Sequence, residues 1–424
     1  MSAHTVAFEE AVEIRPSERI KAGDRFTLWV MGAGMLAGLV TYIIYDVVAS
    51  TQLQPGWFIS ADVAKPPIYY AAYAAELVLL TVAGMLALLS ANLRKLESGY
   101  TVRFALFIGA ALVMAARGFT AADWASTKLV DGTGPYPMIL SLLIFIGARR
   151  SNWVVIEKIM FAFAAIFSAL SLYRMATLET FTRQEGVAHL QFPLNALFWP
   201  AAWIALRGYR RGSIGDRLKF LPVFVFAAGS LFTQTRLNFV MVLALFAIYA
   251  VLQRRRREPQ AGLWLAMIVT AIWAALFAGV FLRDTRGVDR LQDVTSAFAE
   301  RIDEDTRTEQ VTAFFETVRP QELALGRGSL ATWDWDGYEW RGGTDLGYLT
   351  LLFYGGVPLF LTYIATHVKP CIATFRRGVE DWRMAGAGVG VLWAIRMFSS
   401  SYPGTDITYY VVLFCIGAAI SRET

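Results

Sequence analysis

Residues Arg319 to Ile364 read RPQELALGRGSLATWDWDGYEWRGGTDLGYLTLLFYGGVPLFLTYI. The stretch changes character at Leu346. Before it stand mixed charges, glycines and aromatic residues. After it about twenty residues pass without a charge, enough helix at about 1.5 Å per residue to cross a hydrocarbon core of about 30 Å. Working outward, the same kind of run recurs at Phe26–Ala49, Tyr69–Ser90, Val102–Ala122, Pro137–Gly147, Trp153–Leu178 and Leu190–Leu206. It returns at Leu218–Thr233, Leu237–Leu252, Gly262–Leu282, Leu346–Thr366, Ala385–Ser400 and Asp406–Ile420. The chain has 424 residues, of which 56% are hydrophobic and 17% charged, well below the charge of ordinary soluble domains. A soluble globular enzyme is not expected. The expected fold is an all-α, polytopic membrane protein with about 12 transmembrane helices and one large loop. The run at Pro137 is too short to span untilted.

Lysine and arginine set the orientation, because short cytoplasmic loops retain them. With Met1 inside, the inside segments hold 23 of these residues, from Arg15 through the Arg254–Arg257 run to Arg422. The four short outside loops hold one each: Lys65, Lys128, Arg183 and Arg236. Both termini are therefore expected in the cytoplasm, in the inner membrane of a bacterium, with the long loop in the periplasm and no cleavable signal peptide. The Arg254–Arg257 run reads as a topological anchor, and the net charge of +5 does not imply nucleic acid. Disulfides are excluded, since Cys371 falls in an expected cytoplasmic loop and Cys415 in a membrane helix. His4, His189 and His367 have no metal-ligand spacing, so neither metal nor cofactor is expected.

The layout that follows is a cytoplasmic segment 1–25, helices over 26–282, a periplasmic loop 283–345, helices over 346–420 and a cytoplasmic end 421–424. Within the loop, Leu291, Val294, Phe298 and Ile302, then Val311, Phe314, Phe315 and Val318, recur at three- and four-residue intervals. They predict two amphipathic helices, the second ended by Pro320, lying as a cap over the membrane helices. The loop near Ser329 is expected to be accessible from outside.

Ionisable residues inside spans cost about 2.5 to 3.5 kcal/mol each, so they face protein or water and are functional candidates. Asp46, Glu76, Arg117, Arg174 and Arg396 all fall toward the outside ends of their helices, level with Arg236, Arg283 and Arg286. Any one arginine could pair with Asp46 or Glu76, or snorkel to headgroups. As a set they outnumber the carboxylates, and arginine suits phosphate because its planar fork donates two parallel hydrogen bonds. A phosphate or pyrophosphate on a lipid at the outer leaflet is the ligand implied. Trp333, Trp335, Tyr338 and Trp340 offer flat faces beside carboxylates, as a sugar surface or as an interfacial belt. Arg327, Arg341 and Tyr348 complete the candidate substrate-binding set. The Gly326-Arg327-Gly328 turn either presents amides to phosphate or is a plain turn, and Gly355, Gly356 and Pro358 read as a kink or a close packing site.

The order of Arg307 in TRTEQVTAFF, a proline, the Gly-x-Gly turn and TDLGYLTLLFYGGVPLFLTYI resembles the bacterial O-antigen polymerase and ligase superfamily, with its Wzy-type polymerases. Upstream, TQTRLNFVMVLAL from Thr233 to Leu245 is similar to the Ser/Thr-x-Arg helix start of that superfamily. The likeness covers Thr233 to Ile364. It implies a GT-C-like glycosyltransferase that is inverting and metal-independent and polymerises undecaprenyl-pyrophosphate-linked repeat units into O-antigen, capsule or exopolysaccharide. Donor and acceptor would both be lipid-linked glycans, with a flippase and a chain-length regulator as companion proteins. Arg236, Arg307 and Asp345 are the implied catalytic residues. Ligases of the superfamily carry a His-Asn pair at the post-loop helix. Thr344 and Asp345 stand there instead, which favours a polymerase. The alternatives are a ligase acting on lipid A core or protein, and a transporter; a transporter would place its charges near the midplane of two related halves, not at one face.

Overall fold

Among the described residues all eleven apolar runs carry a helix, because a backbone in hydrocarbon must satisfy its N–H and C=O groups within its own segment. The computed structural model describes residues 22–52, 65–121, 135–177, 186–209, 213, 216, 218–233, 236–256, 306–335, 338–341, 346–377, 380–398 and 407–423. The run at 262–282, the expected helix at 291–302 and the terminal segments lie outside these. In chain order the helices are α1 (Ala22–Gln52), α2 (Pro67–Leu89), α3 (Tyr100–Ala121), α4 (Tyr136–Gly147), α5 (Trp153–Thr177), α6 (Gly186–Leu206), α7 (Leu221–Thr233) and α8 (Arg236–Arg256). Next come α9 (Thr306–Thr317), α10 (Pro320–Leu325), strands β1 (Thr332–Trp335) and β2 (Tyr338–Arg341), α11 (Gly347–Tyr363), α12 (Lys369–Arg377), α13 (Asp381–Arg396) and α14 (Ile407–Ile420). Among the described residues, six helices are long and apolar enough to cross a membrane. The fold is all-α and polytopic, as expected, with one small hairpin.

The chain divides into two units, residues 1–79 with 149–299 and residues 80–148 with 300–424. In the first, α6 is apolar on every side and carries Pro193 and Pro200, and it is buried from Leu194 to Leu206 with Asn195 half-buried. Trp203 of α6 stacks on Trp153 of α5 at 4.0 Å, and Phe198 meets Phe226 of α7 at 4.8 Å. Two ion pairs tie helix ends in this unit: Glu157 accepts from Arg207 at 2.8 Å, and Asp24 accepts from Arg149.

In the second unit α14 is almost wholly buried between α4 and α13. The short run at Pro137 becomes α4, whose α turns are interrupted by a 3₁₀ turn at Ser141–Leu143. After α11 the helix runs through one π-turn (Ile364–Val368) into α12. Cys371, expected in a loop, is therefore on a helix and buried, its thiol donating to the carbonyl of His367 at 3.1 Å. The expectation failed because the polar residues that suggested a loop continue the helix.

Candidate functional site

The apolar run after the loop carries its own interruption. Pro358 has no N–H, so the carbonyl of Tyr354, four residues earlier, loses its helical donor. Gly356 leaves the helix altogether, at φ 67° and ψ −171°. An unsatisfied carbonyl at this depth is costly. The loop supplies the missing donors: the N–H of Arg327 reaches the carbonyl of Phe353 at 2.7 Å, and that of Gly328 reaches Tyr354 at 2.9 Å. On the other side, the N–H of Ser329 donates to the carbonyl of Met114 in α3 at 3.2 Å. Backbone meets backbone here, which demands glycine. A Cβ on Gly326 would lie 2.5 Å from the nitrogen of Gly356, and one on Gly356 would lie 2.5 Å from the carbonyl carbon of Leu325. Both glycines have positive φ.

The Gly-Arg-Gly turn thus uses two of its amides to lock the loop onto α11. Ser329 is buried beneath α3, contrary to the expected accessibility, because the segment is seated between two helices. Arg327 braces the same segment, bonding the Glu322 carboxylate at 3.0 Å and the Thr332 carbonyl at 2.9 Å, with its guanidinium 5.4 Å from the Phe353 ring. The bond from Arg327 holds the Glu322 carboxyl below the usual carboxylate range. α9 ends at Thr317, before Pro320 as expected, but Pro320 has a second part. It opens α10 at a first-turn position, where its missing N–H is not needed, and Glu322 reaches back to the N–H of Arg319 at 2.9 Å.

Aromatic residues expected in an irregular loop lie on β1 and β2, which pair with Trp333 opposite Trp340 and Trp335 opposite Tyr338. Alternation along the strands places positions 333, 335, 338 and 340 on one face and 332, 334, 339 and 341 on the other. Trp333 is 2% exposed and meets Phe314 of α9 edge-on at 5.3 Å, and Phe314 in turn meets Phe353 of α11 at 5.6 Å. It cross-braces the loop onto the helix and has no free face for a sugar. The missed signal for the hairpin is the Asp336-Gly337 pair between two alternating segments, the strongest short hairpin cue.

At the same end of this unit Arg117 is exposed in the last turns of α3, beside the seat of Ser329. Tyr348, in the first turn of α11, donates its hydroxyl to the carbonyl of Ala394 in α13 at 2.9 Å, two residues before the buried Arg396. The docked loop, Arg117, Arg327, Tyr348 and Arg396 therefore share one end of the second unit.

In the first unit, Arg174 lies in the last turn of α5 and Arg236 is the first residue of α8. The buried stripe of α8 runs Asn238, Met241, Leu245, Tyr249, Leu252. Position 236 falls instead in line with Val240 and Leu243, which are exposed. Asn238 is 1% exposed with no hydrogen-bond partner for either amide atom. Such burial costs about 1 to 3 kcal/mol on mutational scales, and no sequence cue singled this residue out. Asp345, Arg283 and Arg286 lie outside the described residues, as do the side chains of Arg236, Arg307, Arg341, Trp335, Tyr338 and Trp340.

No curated protein matches the chain. Residues 221–364, however, match a protein family described as O-antigen ligase. The matched region opens at α7, includes the arginine that begins α8, and closes at the end of α11, where the loop is locked. Over that region, about a third of its length, the chain is similar to the O-antigen polymerase and ligase superfamily, whose members are glycosyltransferase-like enzymes.

Proposed function

We propose that the protein is a polysaccharide polymerase that joins undecaprenyl-pyrophosphate-linked repeat units at the periplasmic face of the inner membrane, with both termini in the cytoplasm. The observation that carries this reading is the matched region itself, which joins an arginine-headed helix and a loop locked against a broken helix. At 344–345 it has Thr-Asp, where ligases of the superfamily have His-Asn. In the transfer, a hydroxyl of the acceptor glycan attacks the anomeric carbon of the donor, and the lipid pyrophosphate leaves. Charge gathers on the leaving group, so preformed arginine donors favour the transition state over the ground state. Arg236 suits this role because its position falls on the exposed side of α8, where a lipid-linked substrate arrives laterally, and because a helix amino terminus favours an anion. Arg307, Arg283, Arg286, Arg117, Arg174 and Arg396 are further candidates for the phosphates. Asp345 is the candidate general base. No metal and no nucleotide-sugar donor enters this scheme.

A deletion strain tests the reading. Loss of chain extension on the lipid carrier, with single repeat units accumulating, is the expected outcome. Long lipid-linked chains that are never transferred would establish the ligase instead.

A further inference from the structure

The proposed chemistry leaves Asn238 without a role. It stands in the first turn of α8, is 1% exposed, and neither end of its amide has a hydrogen-bond partner. Among the described residues no other amide side chain is buried with both ends idle. Gln253, buried in the last turn of the same helix, donates to the hydroxyl of Tyr249 at 2.8 Å. Leucine has the same branched heavy-atom outline as asparagine and would occupy position 238 with nothing unpaired. Packing alone therefore does not account for an amide there.

In an α-helix each Cα–Cβ bond tilts toward the amino terminus, so the side chain of residue 238 covers the turn that begins at Arg236. The N–H groups of that turn have no acceptors within the helix, and the end is the positive pole of a helix of 21 residues. Residues 236 and 238 leave the axis about 200° apart. Position 236 falls on the side of exposed Val240 and Leu243, while Asn238 belongs to the buried stripe of a helix that packs on α6 and α7. A ligand seated over this helix end has one part toward the lipid side and one part toward the protein interior. That division suits an amphiphile, with the polyprenyl pyrophosphate on the lipid side and the glycan on the inner side. The chemistry of the amide agrees. A phosphate would take its N–H donors and leave Oδ1 against negative charge, whereas a sugar hydroxyl accepts from Nδ2 and donates to Oδ1, which satisfies both ends. We propose that Asn238 is a specificity-determining residue that hydrogen-bonds a hydroxyl of the sugar next to the pyrophosphate, so that the end of α8 orients the lipid-linked donor with its glycan inward. This rests on the reading of the substrate as a pyrophosphate-linked glycan.

The test uses the full chain in lipid nanodiscs with two probes, undecaprenyl pyrophosphate bearing one repeat unit and undecaprenyl pyrophosphate alone. Asn238→Leu is expected to weaken binding of the first about tenfold, the worth of one hydrogen bond, and to leave the second unchanged. It should also melt at the wild-type temperature or above, because a buried unpaired amide is gone; a merely structural amide would lower the melting temperature instead. Asn238→Ser, smaller and still polar, is the second variant should the leucine protein fail to insert, and the same selective loss is expected of it. Wild-type affinity for both probes in a folded variant, whatever its melting temperature, overturns the proposal, as does an equal loss of both. Chain extension by a wild type that binds the two probes equally sinks the subsite alone. Selective loss in the variants, with no chain extension by the wild type, supports the subsite and sinks the polymerase reading.

Discussion

Arg236→Ala is expected to abolish chain extension at normal expression, and Arg236→Lys to be severely impaired. The alanine variant loses both the charge and the bidentate fork; lysine keeps the charge and loses the fork. If Arg236 stabilises the departing pyrophosphate, the loss is roughly 2 to 4 kcal/mol of transition-state stabilisation. The structure adds a reason to expect an intact fold. Position 236 falls on the side of α8 with exposed Val240 and Leu243, away from the stripe that packs the helix. Measured repeat-unit extension by the purified variants decides the matter, and lysine performing as arginine would remove the bidentate role. Asp345→Asn belongs beside it, because asparagine caps a helix as well as aspartate and cannot accept a proton. Wild-type extension by that variant would make Asp345 a cap.

Gly356→Ala is the second substitution of large effect, and its cause is wholly steric. The residue sits at φ 67° and ψ −171°, where a side chain brings strain of about 1 to 3 kcal/mol. Its Cβ would also meet the carbonyl carbon of Leu325 at 2.5 Å, the nitrogen of Gly326 at 2.6 Å and the oxygen of Ala324 at 2.7 Å. These are backbone atoms with no flexible end to move aside. The loop segment must leave its seat, which strands the carbonyls of Phe353 and Tyr354 and removes the support of Arg327 and Trp333. Limited proteolysis of the purified variant should therefore cut between Arg319 and Ala331, and chain extension should be lost, while the protein still inserts. Pro358→Ala returns an N–H to Tyr354 without a clash and should be milder. A Gly356→Ala protein with wild-type protease resistance and activity would contradict the docking of the loop.

How far the sequence was legible follows from the range of each interaction. Helix positions were legible because hydrocarbon thickness imposes a length that shows as an uninterrupted run. The pairing of Pro358 with a loop some thirty residues earlier was not, since a missing N–H says nothing about which distant donor replaces it. Gly326, Arg327 and Gly328 read as a turn from the sequence, but their partners lie on α11, a contact that no local pattern encodes. Pro320 marks a stop, since α9 ends before it, and also a start, because the first turn of α10 does not need its N–H. The hairpin has a local cue in Asp336-Gly337 between two short alternating segments. Asn238 gave no signal, since one amide in TQTRLNFV stands out only once its neighbours are known to bury it.

The most direct measurement of the central claim is made on purified protein reconstituted with a single lipid-linked repeat unit as both donor and acceptor. The account predicts a ladder of lengthening lipid-linked chains, with one undecaprenyl pyrophosphate released for each new glycosidic bond and no ladder from Arg236→Ala. Repeat units that cross the bilayer unjoined, or that stay single until a lipid A core acceptor is added, would contradict it.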